Sequence, residues 1–296
     1  MRISWVRSSL DPTAGRPCRL GATLIAFLAS IACAVTDEPR ADNAETVESG
    51  PTVTIVDPFQ SAQLIDLTHT LGPESLYWPS GSPFTYTRDG WGFDENGNWY
   101  AAGHFAMPEH LGTHLDAPIH FGPEMWTSDE IPVARLIGPG IVIDIRDRAT
   151  TDGDAMLEEQ DVLDWEVDHG SLPNKAIVLV RTGWSALWPD WNAYYGSEDP
   201  FDTTTLHFPG VSPSAAAALM ARGIAGVGID TASIDPGNNT IFPAHRVLAA
   251  GSIFNLENLT QLDQLPESGF HVLALAMKIA GGTGAPARVV AVLPSH

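Results

Sequence analysis

The segment His110-Leu111-Gly112-Thr113-His114-Leu115-Asp116-Ala117-Pro118-Ile119-His120-Phe121 sets three histidines and an aspartate at positions 110, 114, 116 and 120. In an extended backbone alternate side chains project from one face, so these even-numbered positions share a side. A helix would align only His110 with His114. Gly112, Thr113 and Pro118 also oppose a helix, through backbone entropy, β-branching and a missing N–H. The run therefore reads as a strand-like segment with four ligand-type side chains on one face. Imidazole and carboxylate suit Zn, Mn or Fe, and three such ligands leave coordination positions for water or substrate. The competing reading is a set of histidines hydrogen-bonded around a buried aspartate. Four ligand-type residues within eleven positions favour the metal.

Outward from this run, short β-type stretches recur between Pro- and Gly-rich turns, at 64–67, 140–145, 176–181, 226–230 and 288–292. Two helices are expected. Residues 212–222 are Ala-rich, with Ser212 as N-cap ahead of Pro213, and residues 244–251 form the second. The pattern predicts one mixed α/β domain over residues 61–296, with more strand than helix and no internal repeat.

The N-terminus has a different composition. Arg2, Arg7, Arg16 and Arg19 precede an apolar run from Leu20 to Ala34, a secretory signal pattern over residues 1–34. The apolar stretch is shorter than the roughly 20 residues that span a bilayer, so it reads as cleaved. Ala32-Cys33-Ala34 fits cleavage after Ala34, whereas Ile31-Ala32-Cys33 resembles a lipoprotein box with Cys33 as lipid acceptor. Either route predicts a periplasmic or secreted protein. Residues 35–60 read as a disordered acidic linker, low in aromatic side chains. Both cysteines, Cys18 and Cys33, lie in the leader, so a metal site must use His, Asp and Glu. The whole chain carries a net formal charge of −21, and −24 without residues 1–34, which hold four basic residues and one acidic one. Such acidity excludes nucleic acid as the expected partner.

Further ligand-type residues lie at His245, on the expected second helix, and at Glu257, twelve positions on and beyond the apolar pair Ile253-Phe254. A helix-to-strand unit would return both to one cleft, although each alone reads more simply as a surface or capping residue. Nine tryptophans are present, and a pocket lined by one or two would suit a flat aromatic amide. Loops at 76–100 and 190–206 read as a lid or as solvated surface. His69, His104 and His207 read as surface or pocket-rim residues.

These residues together resemble the cyclase family of metal-dependent hydrolases, which includes bacterial kynurenine formamidases and isatin hydrolases. The resemblance spans about residues 62–294. It rests on Asp66-Leu67-Thr68-His69, Tyr77-Trp78-Pro79, the 110–121 run, Phe208-Pro209-Gly210, the 228–235 segment, His245 and Glu257-Asn258-Leu259. It implies that His110, His114 and Asp116 bind metal. It further implies that His245 and Glu257 complete a site for one or two ions, Zn or Mn, with Asp116 and Glu257 able to bridge. His120 is then the general base, Trp78 a substrate contact, the fold a swivelling β/β/α type and the assembly a homodimer or homotetramer. The expected activity is hydrolysis of a C–N bond in an aryl formamide or cyclic amide such as N-formylkynurenine or isatin. The lactonase or dehydrating cyclase is the enzymatic alternative. A periplasmic protein that captures metal or anion without turnover is the non-enzymatic one, and His120 separates them, since a pure binder needs no unligated base.

Overall fold

Strands β5 (Ile137–Asp144), β7 (Ile177–Arg181), β9 (Gly226–Ile229) and β10 (Phe254–Glu257) run parallel to one another and form the centre of the sheet. Parallel neighbours need crossovers, which helices α2 (Glu159–His169), α4 (Pro213–Ala221) and α5 (Pro243–Ala250) provide. In the computed structural model, residues 61–294 are described. The expected leader (1–34), acidic linker (35–60) and Cys33 lipid anchor lie outside the described residues.

The rest of the sheet is antiparallel. β4 (His114–Asp116) pairs with β10, and β11 (Phe270–Ala276) pairs with β5. The long β12 (Gly284–Leu293) binds β11 on one side and β4 on the other, so seven strands close on themselves in barrel fashion. Strand β1 (Gln63–Asp66) adds to β12 outside this ring. Two separate pairs remain, the hairpin of β2 (Thr85–Phe93) and β3 (Trp99–Ala106), and the two-residue strands β6 (Met156–Leu157) and β8 (Gly210–Val211). Short helices α1 (Arg146–Ala149) and α3 (Trp191–Tyr195) lie in the connections.

Side-chain alternation sorts the core into layers. Val142, Ile177, Leu179, Leu256 and Leu115 fill the barrel with Val272 and Val289. Ile141, Ile143, Val178, Val180 and Ile229 face the other way, against Val162, Leu219 and Leu248 of the crossover helices. A third cluster of Tyr194, Tyr195, Phe208 and Leu76 packs with Trp78, Trp184 and Trp188. The expectation of a mixed α/β domain richer in strand holds, and both expected helices form. The sheet, however, is a closed seven-strand ring, a topology that the swivelling β/β/α description does not specify. Strand content closes it: β12, ten residues long, is shared by β11 and β4.

Candidate metal centre and active site

The 110–120 run is extended only over β4. Leu115 and its neighbour Leu256 point into the barrel, which turns His114 and Asp116 to the opposite face. Register places Glu257 directly across from His114, and Asn255 across from Asp116. His110 and His120 reach the same place by other means. Gly112 takes a left-handed φ of +61°, folding the chain back so that His110 lies beside the strand, and a Cβ there would meet Leu71 Cδ2 at 2.7 Å. Pro118 opens a 3-10 turn that ends in His120. The single extended face expected for all four residues therefore applies to His114 and Asp116 alone, because left-handed glycine and proline break the strand on either side. The convergence itself is real.

Helix α5 supplies His245, whose Nε2 lies 3.1 Å from Asp116 Oδ2 and 3.1 Å from Glu257 Oε1. His114 Nε2 lies 3.1 Å from Asp116 Oδ1 and 3.4 Å from Glu257 Oε2. His110 Nδ1 lies 2.6 Å from Asp116 Oδ1. Asp116 thus touches all three imidazoles, and Glu257 touches those of His114 and His245.

Each of these histidines turns its other nitrogen to a fixed acceptor. His114 Nδ1 donates to Gly112 O at 2.9 Å and His245 Nδ1 to Asp235 Oδ2 at 2.7 Å. His110 Nε2 donates to Thr283 Oγ1 at 2.9 Å, and that hydroxyl donates onward to Glu109 Oε2 at 2.6 Å. With the outer nitrogen protonated, the inner one presents a lone pair, the tautomer a metal ligand needs. His114 Nε2 is buried and makes no aligned hydrogen bond. Such an orphaned nitrogen between two carboxylates fits a cation. Two overlapping sets, His110–Asp116–His120 and His114–Asp116–Glu257, each have the spacing to hold one.

The electrostatics agree. Burial alone would depress the His114 imidazole, but the nearby carboxylates of Asp116 and Glu257 outweigh it and push it up to about 10. Burial works the same way on His245, and hydrogen bonds to Asp116, Asp235 and Glu257 raise it well above the usual histidine range. Burial would raise Asp116, yet the charge and hydrogen bonds of the facing imidazoles hold it well below the usual carboxylate range. Glu257 is likewise lowered against its burial by His114 and His245. The cluster thus offers two anionic carboxylates whose partners carry displaceable protons. His120 differs. Burial depresses it to about 4, so it is a neutral base through the physiological range. Its ring stacks on His110 with centroids 4.0 Å apart.

Above the cluster lies a cavity of about 320 Å³, at the small end for ligand pockets. Its wall includes the predicted Trp78, together with Tyr77, Phe121, Phe242 and Tyr195. Trp78 meets Phe242 edge-on at 6.0 Å, and Phe121 lies 4.5 Å from the His245 ring. Three supporting residues escaped the sequence reading. Asp235 accepts from the backbone N–H of Ala244 and His245 as well as from the His245 ring, so it anchors the start of α5. Asn258 donates to Gly112 O and accepts from the Tyr194 hydroxyl. Phe242 enters the pocket from a left-handed backbone at φ +50°. Asp235 and Asn258 stand in segments that carry the family resemblance, the one signal that marked them. Thr113 donates to Asn258 O at 2.6 Å, and so supports the ligand strand without touching the cluster. The three histidines expected at the surface or pocket rim are apart from the centre: His104 pairs with Asp89, His207 with Asp154, and His69 stacks on Trp188.

A carboxylate-bridged histidine cluster at the base of an aromatic cavity defines a candidate metalloenzyme centre. The chain belongs to the cyclase family, whose model, described as putative cyclase, matches residues 65–236. Among individual relatives, isatin hydrolase of Roseibium aggregatum is 32% identical over 246 residues, covering 78% of this chain and 92% of that protein. Kynurenine formamidase of Salinibacter ruber is 29% identical, covering 77% and 96%. The crystal structure of an isatin hydrolase bound to the product analogue thioisatinate superposes with a TM-score of 0.73 at 31% identity, covering 79% and 94%. Isatin hydrolase A from Ralstonia solanacearum gives 0.73 at 30% identity, covering 82% and 100%. The family match includes the 110–120 run but ends before His245 and Glu257, which the fold brings to the cluster.

Proposed function

We propose that this protein is a metal-dependent hydrolase that cleaves the C–N bond of a small aromatic amide, with an isatin-like cyclic amide favoured over an aryl formamide. The observation that carries the reading is the set of three tethered imidazoles whose inner nitrogens face Asp116 and Glu257 beneath an aromatic cavity. His110, His114, Asp116, His245 and Glu257 would hold one or two divalent ions, Zn or Mn. Such an ion would lower the pKa of bound water towards 7 and would polarise an amide carbonyl.

The chain's own residues supply the rest. Trp78, Phe121 and Phe242 offer apolar faces to a flat ring. His120, neutral above about pH 4, takes the proton of the attacking water as its oxygen bonds to the carbonyl carbon. As the C–N bond breaks, His120 returns that proton to the nitrogen, leaving an amine and a carboxylic acid, which ionises by releasing its own proton to water. The cyclic amide is favoured because identity and structural superposition to isatin hydrolases are the stronger among the relatives described above. Export to the periplasm or beyond, with or without a lipid on Cys33, is the companion proposal, supported by the arginines and apolar run of residues 1–34.

The test is metal content alongside hydrolysis of isatin and N-formylkynurenine, before and after chelation. Bound metal with chelator-sensitive turnover of isatin is expected. Bound metal without turnover of either compound would overturn the amidase reading in favour of a binding protein. His120→Ala should retain metal and lose about 10²–10⁴ in kcat. Loss of metal with it would make His120 a ligand.

A further inference from the structure

A second cavity, of about 160 Å³, abuts the one above the cluster, since Trp78, Ser80 and Phe242 line both. Its remaining polar lining comes from Thr203, Asn239 and Thr240. The two spaces differ in chemistry. The first sets imidazoles and carboxylates among aromatic rings, whereas no charged side chain is among the described residues that line the second. Phe242 stands at the boundary. Its ring meets Trp78 at 6.0 Å, Phe121 at 5.2 Å and His245 at 5.8 Å. Its left-handed backbone, at φ +50°, is strain of the kind that persists at ligand clamps.

The walls of the second cavity are fixed before any ligand arrives. Gly237 N donates to Phe208 O at 2.9 Å, and a Cβ on Gly237 would meet Leu206 C and His207 N at 2.8 Å, so the 236–242 loop is pressed against the 206–208 segment. Around Thr203, Asp202 Oδ1 accepts from the backbone N–H and hydroxyl of Thr204, Asp202 O accepts from the hydroxyl of Thr205, and Phe201 stacks on Trp191 at 5.0 Å. Polar groups held in this way lose little freedom on binding. Asn239 Oδ1 accepts from Ile241 N at 3.0 Å, which commits the oxygen and leaves the amide N–H groups as donors. The hydroxyls of Ser80, Thr203 and Thr240 can donate or accept.

We infer that the second cavity is a subsite for an uncharged hydrogen-bonding substituent, a carboxamide or hydroxyl, carried on the aromatic ring that occupies the first. The ring's place in the first cavity rests on the hydrolase reading, and the substituent extends that substrate past Trp78 and Phe242. Size agrees, because at about 30 Å³ per water the space admits about five water-sized groups. Charge is disfavoured, since an ionised substituent would lose water without gaining a counter-ion. A carboxylate would in addition meet the field of Asp202, next in sequence to Thr203, and of a chain with net charge −21. An apolar substituent would strand the Asn239 N–H groups.

Calorimetric titration of the full chain with oxindoles, which keep the bicyclic lactam of isatin but lack its ketone, reads binding without turnover. Carboxamide, carboxylate, aminomethyl and ethyl groups are placed in turn at each position of the benzo ring. At one position the carboxamide should bind about 2–10-fold tighter than the ethyl compound, with the carboxylate and aminomethyl compounds weaker than both. Asn239→Asp keeps an acceptor for Ile241 N while exchanging the amide donors for an anion, so the aminomethyl compound should then bind tightest. Thr203→Val, similar in shape, should narrow the carboxamide advantage and tests the subsite independently of the Asn239 loop. A carboxamide no tighter than the ethyl compound at every position would overturn the subsite, as would an order of affinities that both variants leave unchanged. Binding of no oxindole at all would overturn it too. The two readings fail separately: turnover of isatin with no carboxamide preference leaves the hydrolase without the subsite, whereas the carboxamide preference without turnover of isatin leaves the subsite without the hydrolase.

Discussion

Asp235 shows how one side chain can serve both the fold and the site. Its carboxylate accepts two backbone N–H groups at the start of α5 and the Nδ1–H of His245 at 2.7 Å, so it fixes the helix and the ring tautomer together. An amide can replace one acceptor oxygen but not both. Asp235→Asn should therefore leave the protein folded and weaken metal binding by about 10–100-fold, read by competition with a chelator. Unchanged affinity would separate His245 from the metal. Gly112 is the second such residue, because its left-handed φ reverses the chain between His110 and His114 while its carbonyl holds both His114 and Asn258. In Gly112→Ala the left-handed conformation costs about 1–2 kcal/mol, to which the clash with Leu71 is added. Thermal unfolding should register that loss, and metal content should fall with it. Full metal content would show that the turn does not position the ligands.

At the level of elements, α4 is the best test of what a sequence can specify. Ser212 Oγ accepts from Ala215 N at 3.1 Å, with Pro213 in the first turn, as the local pattern requires. Ser212→Ala should cost about 1 kcal/mol, or roughly 2–4 °C in melting temperature, and Ser212→Asp should restore most of it. Central strands β7 and β9 were equally legible, since buried parallel strands read as unbroken apolar runs. Helix α2 was not. Only Val162 and Trp165 of its eleven residues are buried, and its capping box uses Glu158 and Asp161, so little apolar periodicity marks it in the sequence. The β2–β3 hairpin read as a loop because Gly90, Gly92, Gly97 and Gly103 interrupt its alternation and a bulge shifts its phase. In the site, residue types were legible while the reason for their convergence was not. A two-residue period accounts for His114 and Asp116, but His110 and His120 arrive through turns, and His245 and Glu257 through a helical crossover and strand register. Phe242 and Asn258 acquire meaning only once distant segments meet, which no local pattern encodes.

Across the whole molecule, the cluster makes stability depend jointly on metal and pH. Asp116 and Glu257 are buried anions, and without a cation their compensation is the protons on His114 and His245. The folded His114 titrates near 10, against an ordinary value of 6.5. Its contribution is therefore complete below 6.5 and is lost as pH rises through about 10. A bound cation takes over the compensation and releases those protons, so the loaded protein lacks this loss. Metal at a hundred times its Kd adds about 2.7 kcal/mol, which for a domain of this size is about 5–10 °C. Melting curves of chelated and Zn- or Mn-loaded protein, taken between pH 6 and 10 (about the range set by these two values), should thus diverge. The chelated form should fall steadily towards the alkaline end while the loaded form stays nearly level. Parallel curves would mean that the protons on these histidines and the metal do not compete, and the buried cluster would then be a hydrogen-bonded network around Asp116 in place of a metal centre.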